Sequence, residues 1–374
     1  MRLAALSVGT GVVVSVSVQA FGATLSLRSE VGAEYDSNAN RAETLENGSS
    51  LQAETPISSP GGRGLVSLEG SAKLASATLF SATGRAAARG YSNESARPES
   101  VTILSGTFTL LQGLGDTTRA MASASYYDAF QGARQDSRDF RSVSPSAALL
   151  QQLGPGRLVL GGGYRWFQFK PAPTLDFAGP TAVAAYRLNS QGEDGAADWS
   201  VSGSMAFEKR TFSSSLCIRG EDCPPLVSRG SREDNFTQIG LDVVRTANHL
   251  LGAGAAVQIN ASNSFGDGLT RGLAHLESTI LLPWGLSLAS RAEISFTRYD
   301  QSIPIRRDPV SGLAIASIED EGRSTLRIEL LRPVGDSFDV SARWIGYTNE
   351  LGGQTVRYRR QVLLFSLGVS LDLL

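Results

Sequence analysis

A chain of 374 residues with 34 Lys+Arg, 36 Asp+Glu and a net charge of −2 has no basic surplus for gripping nucleic acid. Beyond the first twenty residues no apolar run is long enough for a membrane-spanning helix, so a helical membrane protein is excluded too. Mean hydropathy is −0.06, a value that fits a soluble chain and equally one whose strands show half their side chains to water.

Met1-Arg2-Leu3 is followed by the short apolar run Gly11 to Val18 and then by Val18-Gln19-Ala20. This is the pattern of a secretory signal peptide, 1–20, cut after Ala20. No cysteine stands near that cut, which argues against a lipoprotein. Residues 21–374 are expected to form one domain, with too few residues ahead of its first strand for a separate plug. Thr24 to Asp36 alternates Leu25, Leu27, Val31, Ala33 and Tyr35 with Ser26, Arg28, Glu30 and Glu34. A period of two means a strand with one apolar and one polar face. The long polar segment Ser37 to Arg63 leads to a second strand, Gly64 to Leu74, and a tight reversal near Ala75 leads to a third, Thr78 to Tyr91.

The same grammar continues. Strands are predicted over Val101–Gln112, Thr118–Phe130, Ser142–Leu153, Arg157–Phe169, Gly179–Asn189, Asp198–Thr211, Asn235–Arg245, Leu250–Ser262, Arg271–Leu282, Leu286–Tyr299, Arg323–Arg332 and Phe338–Tyr347. Pro145 is expected near a strand end or at a bulge, because it cannot donate to a sheet ladder. Short turns such as Gly113-Leu114-Gly115-Asp116, Gly154-Pro155-Gly156 and Pro333-Val334-Gly335-Asp336 alternate with long segments such as Asp300 to Glu321. In the last stretch Leu363, Phe365, Leu367, Val369, Leu371 and Leu373 alternate with Ser366, Gly368, Ser370 and Asp372. This strand is expected to pair with the first, so that no sheet edge is left in lipid.

The expected fold is all-β: a transmembrane antiparallel up-and-down β-barrel of about sixteen strands (roughly 14–18), with long extracellular loops and short periplasmic turns. The location that follows is the cell outer membrane. Its lipid, its lipopolysaccharide and the barrel assembly machinery are the expected partners, with no nucleic acid. A soluble sandwich or propeller is the competing all-β reading, but there is no blade-length repeat and no Trp-Asp motif.

Residues that could do chemistry are few. Cys217 and Cys223 close a small loop, which in an exported chain reads as a disulfide. The loop offers too few ligands for a metal. Of the two histidines, His249 falls in a short turn and His275 on an inward face beside Glu277, with no nucleophile motif nearby. No catalytic residue, cofactor or metal is assigned, and no enzyme is expected. The pore-lining candidates are Arg85, Arg89, Arg119, Arg165, Arg291, Glu293, Arg327, Glu329 and Arg343. Their signs are mixed, and Arg291/Glu293 and Arg327/Glu329 lie two apart on one face. They serve either as cross-strand pairs in a wet interior or as the groups that set the field of a pore. Balanced charge predicts weak ion preference and suits a neutral or mixed-charge polar solute such as a sugar chain. Aromatic residues gather near strand ends: Tyr35, Tyr91, Tyr126, Tyr127, Trp166, Phe167, Phe169, Trp199, Phe296, Tyr299, Trp344 and Tyr347. They are expected as girdles at the two membrane interfaces.

The first strand ends Glu34-Tyr35-Asp36-Ser37-Asn38-Ala39-Asn40-Arg41. This octet resembles the Tyr-Asp-Ser-Asn signature that opens many β-barrel porins of Gram-negative bacteria, the porin 2-like group, which includes barrels associated with exopolysaccharide export. The match covers the octet, the strand grammar and the last strand. It departs at Ala39, where that group often carries an aliphatic residue, and at Leu373-Leu374, where outer-membrane barrels typically end in Phe. The resemblance implies a porin-like channel serving export of a secreted polysaccharide, with polysaccharide and periplasmic export components as partners. A general diffusion porin for small polar solutes stays open, as does a surface-binding or adhesion barrel without transport.

Overall fold

Alternating faces along every strand call for a wall with two solvents, and the chain closes into such a wall. The structure is a computed structural model; it describes residues 23–40, 42, 44–45, 55–131, 139–171, 173–190, 199–215, 231–247, 249–263, 268–299, 324–348 and 356–373. The strands are β1 (Thr24–Asp36), β2 (Thr44–Leu45), β3 (Ser59–Ala75), β4 (Thr78–Tyr91), β5 (Val101–Gly113), β6 (Thr118–Gln131), β7 (Phe140–Leu153), β8 (Gly156–Phe169), β9 (Phe177–Asn189), β10 (Trp199–Ser215), β11 (Ser231–Thr246), β12 (Leu250–Ser262), β13 (Leu269–Leu281), β14 (Ser287–Tyr299), β15 (Ser324–Val334), β16 (Phe338–Thr348), β17 (Val356–Arg357) and β18 (Arg359–Asp372). All but β2 and β17 form one closed antiparallel barrel of sixteen strands, each beside its neighbour in sequence. β1 and β18 make the seam, in register from Ser26↔Asp372 to Asp36↔Val362. The proposed signal peptide and both cysteines lie outside the described residues.

The strands run further at the long-loop end than alternation predicts. β3 starts at Ser59 rather than Gly64, β11 at Ser231 rather than Asn235, and β10 ends at Ser215 rather than Thr211. Backbone pairing continues there although the apolar alternation has stopped. Pro145 departs from expectation as well. It sits inside β7 opposite Ala124, at neither an end nor a bulge. The ladder to β8 lapses at Ser144 and Pro145 and resumes in the same register, Val143↔Trp166 before and Ser146↔Gly163 after. Proline has no N–H to give, and Gly163 lets the backbones draw close, since a Cβ there would collide with the Pro145 carbonyl. At the opposite end the short turns use left-handed backbone at Gly154 (φ 58°) and Gly335 (φ 71°).

Register divides the residues into two faces consistently around the wall. One face carries Val31, Leu276 and Phe365, each 64% exposed, among many other bare apolar side chains. A surface of that kind is far larger than a soluble protein leaves open to water. Charge on this outward face is confined to strand ends. Asp128, Arg141, Lys209, Glu233, Arg298 and Arg359 lie toward the long loops, and Arg245 and Arg332 toward the short turns. Among the described residues, the band between them carries no charged side chain.

The octet at the end of β1 is built into the seam. Asp36 is buried and accepts from Arg360 Nε at 3.0 Å, from the Tyr91 hydroxyl at 2.6 Å and from the Asn38 amide at 3.0 Å. Ser37 and Gln361 exchange two bonds: the Ser37 amide donates to the Gln361 carbonyl at 2.9 Å, and the Gln361 amide donates to Ser37 Oγ at 2.8 Å. Asn38 donates to the carbonyls of Ala42 (2.9 Å) and Arg359 (3.1 Å). Glu34 meets Arg89 at 2.8 Å. Asn40 pins the returning segment, donating to the Thr55 carbonyl at 3.0 Å and accepting from the Ile57 amide at 2.9 Å. Above the wall β2 and β17 pair, tying together two segments that flank the seam. Thus the side chains of Asp36, Ser37 and Asn38 bond across the seam, while Glu34 reaches β4 and Asn40 holds the segment returning to β3.

Candidate functional site: the lumen

The inward face carries the ionisable groups. Arg291 lies between Glu277 (3.3 Å) and Glu293 (3.5 Å), and Glu329 takes both Arg327 and Arg343 at 2.5 Å. Other pairs reach over an intervening strand: Arg343 to Glu30 at 3.9 Å and Arg28 to Asp339 at 3.7 Å pass β18, and Arg165 to Glu208 at 3.4 Å passes β9. The register puts all of these groups on the inward face. His275 is drawn to Asp242, with Nε2 3.5 Å from Oδ1, while its sequence neighbour Glu277 serves Arg291. His249 is exposed in its turn.

The wall from β3 to β9 differs. Arg85 shares a shallow recess with Ser67, Glu69, Thr83, Ser105 and Thr107. Ser123 and Ser146 bond at 2.8 Å, and Gly161 and Gly163 add nothing bulky. Arg119, Arg157 and Arg187 face inward and are exposed. Every pore-lining candidate thus lies on the inward face. Arg89, Arg165, Arg291, Glu293, Arg327, Glu329 and Arg343 are ion-paired. Arg85 and Arg119 have no ion pair among the described residues.

A third feature went unseen in the sequence. Rings follow one another across five strands inside the lumen, at the long-loop end, three pairs stacked and the last tilted. Tyr127–Phe140, Phe140–Phe167, Phe167–Phe177 and Phe177–Phe212 have centroids 5.2, 5.5, 4.8 and 5.2 Å apart. Phe167, Phe169, Phe177 and Phe212 are buried together, with Leu175 of the adjacent loop packed on them. Arg165 lies over Phe167 and Phe177, and Arg232 lies 4.1 Å from the Phe212 ring centre. The expected girdle is corrected accordingly. Tyr35, Tyr126, Trp166, Trp199, Phe296 and Trp344 face outward, but Tyr91, Tyr127, Phe167, Phe169 and Tyr347 face the lumen. The Tyr299 side chain lies outside the described residues. Adjacent residues such as Tyr126 and Tyr127 must point to opposite faces of a strand, so parity was the available signal.

No protein-family model matches the chain, and no curated protein matches it in sequence. Solved structures with a related wall include the siderophore receptor PirA from Pseudomonas aeruginosa (TM-score 0.41, 9% identity, 92% of this chain and 80% of that one). A mutant of the Rh. blastica porin gives TM-score 0.41 and 9% identity over 94% of this chain and 100% of that one. The Ralstonia pickettii toluene transporter TbuX gives 0.39 and 8% over 92% and 89%. Likeness at this level carries no argument about function, which rests on the chain's own two faces.

Proposed function

We propose that this barrel is an outer-membrane channel. The observation that carries the reading is the pairing of an uncharged apolar band outside with a charged, water-accepting surface inside one closed wall. Sixteen strands enclose enough space for an aqueous path, where eight would be filled by side chains. The long loops face the exterior and the short turns the periplasm, as in barrels of this kind. Purified protein in a planar bilayer is expected to give discrete conductance steps. A bilayer that stays silent at high protein load would overturn the channel.

Polysaccharide export is the finer reading, and its support is the octet resemblance and the polar lumen. Deleting the gene is expected to abolish surface polysaccharide while uptake of small solutes continues. Loss of small-solute uptake with intact polysaccharide would favour a general porin instead.

The lipid partner includes phosphate. On the outward face near the long loops, Asp128 is buried beneath two cations, Lys170 at 2.6 Å and Arg141 at 3.1 Å. One outward step below stand Tyr126 and Trp166, at the depth of an interfacial girdle. The carboxylate holds both cations at headgroup level with one positive charge in excess. Arg141→Gln with Lys170→Gln is expected to reduce retention of a phosphorylated glycolipid in native mass spectrometry. Equal retention would remove this partner.

A further inference from the structure

The water a permeant solute meets in this lumen is not evenly charged. Around the wall from β13 to β1, acids are held by arginines: Glu277 by Arg291, Glu329 by Arg327 and Arg343, Asp36 by Arg360. Paired charges cancel at distances beyond the pair, and burial withdraws them further. On the facing wall Arg119, Arg157 and Arg187 are exposed, with no ion pair among the described residues. All three sit within a few residues of the short turns. Arg157 and Arg187 are direct partners across β8 and β9. Like charges set opposite each other weaken a sheet, and an anion between them would relieve that cost. Of the exposed inward acids, Glu69 and Asp372 stand on β3 and β18, away from this group, and Asp242, on the rung of Arg187 two strands away, is turned to His275.

We infer that the channel prefers anions, and that Arg119, Arg157 and Arg187 receive a carboxylate- or phosphate-bearing solute at the short-turn mouth. The planar guanidinium fork matches both oxyanions. This inference rests on the channel reading and names its solute class. It also replaces the weak ion preference expected from composition. A net charge of −2 counts every group alike, whereas the lumen presents only those that water reaches.

The test is a reversal potential across a potassium chloride gradient, with Arg119→Gln/Arg157→Gln/Arg187→Gln as the variant. The native channel is expected to favour chloride, and the triple variant to lose that preference while still conducting. Arg157→Lys/Arg187→Lys should retain it. A short oligogalacturonate added on one side should block the native current at a concentration about tenfold lower than for the triple variant, a difference of about 1.4 kcal/mol. Maltohexaose, which is neutral, should act equally on both. Heat-shifted gel migration confirms that the variants are folded. Conductance without anion preference, or preference unchanged in the triple variant, overturns the site while leaving the channel standing. Silence of the native protein overturns the channel itself and the site with it.

Discussion

Asp36→Ala is expected to cost the folded barrel about 3–5 kcal/mol, because it leaves a buried guanidinium without its partner. The Asp36 side chain is 0% exposed and that of Arg360 6%. The same change strands the Tyr91 hydroxyl, which donates to Asp36 at 2.6 Å. Position magnifies the loss. Every other pair of neighbouring strands in the wall is joined by the chain between them, but β1 and β18 come from its two ends. Their union depends on contacts made across the seam and on the β2–β17 pair above it, and Asp36 lies at the last rung, Asp36↔Val362. The measurement is the temperature at which detergent-solubilised protein loses its folded gel mobility. Asp36→Leu combined with Arg360→Met should recover much of the loss, since an apolar pair leaves no charge buried. A single variant that melts with the native protein would show that the clasp contributes nothing to closure.

Leu276→Arg is expected to cost about 2–4 kcal/mol of folding into lipid, the penalty for a cation near the middle of a barrel's outer face. Leu276 is mid-strand in β13 and 64% exposed, between Ala253 of β12 and Ala292 of β14. Neither neighbour offers a polar group. Thr107→Arg supplies the contrast: it is mid-strand in β5 and lines the recess around Arg85. There the new guanidinium meets water, and stability should change by about 0.5 kcal/mol or less. Folding into lipid vesicles, followed against urea, separates the two. If both substitutions cost the same, the assignment of inner and outer faces fails, and the channel with it.

Much of the fold was legible because a lipid-facing wall writes a period of two into the chain. β1, β4 and β12 begin and end where the alternation says, at Thr24–Asp36, Thr78–Tyr91 and Leu250–Ser262. The inward position of Arg291 and Glu293 follows from parity alone; their contact at 3.5 Å does not. For the aromatics, residue type misleads and parity does not, since rings on adjacent residues point to opposite faces. Phe167 and Phe169 therefore proved to be inner packing rather than girdle. The octet was legible as a signature but not as a clasp. Arg360 is 324 residues from Asp36, and nothing local marks them as partners.

Alone, then, the order of residues determined that there would be a wall and which side of each stave would be wet. Those are matters of neighbours two apart, settled by backbone geometry and solvent. Closure fixed the number of staves at sixteen. Which arginines meet an acid was decided only when the wall curved, because pairs such as Arg343 with Glu30 reach across a third strand. Curvature brings together groups that sequence keeps far apart. Arg119, Arg157 and Arg187, without an ion pair among the described residues, are the charges we infer a solute meets at the short-turn mouth.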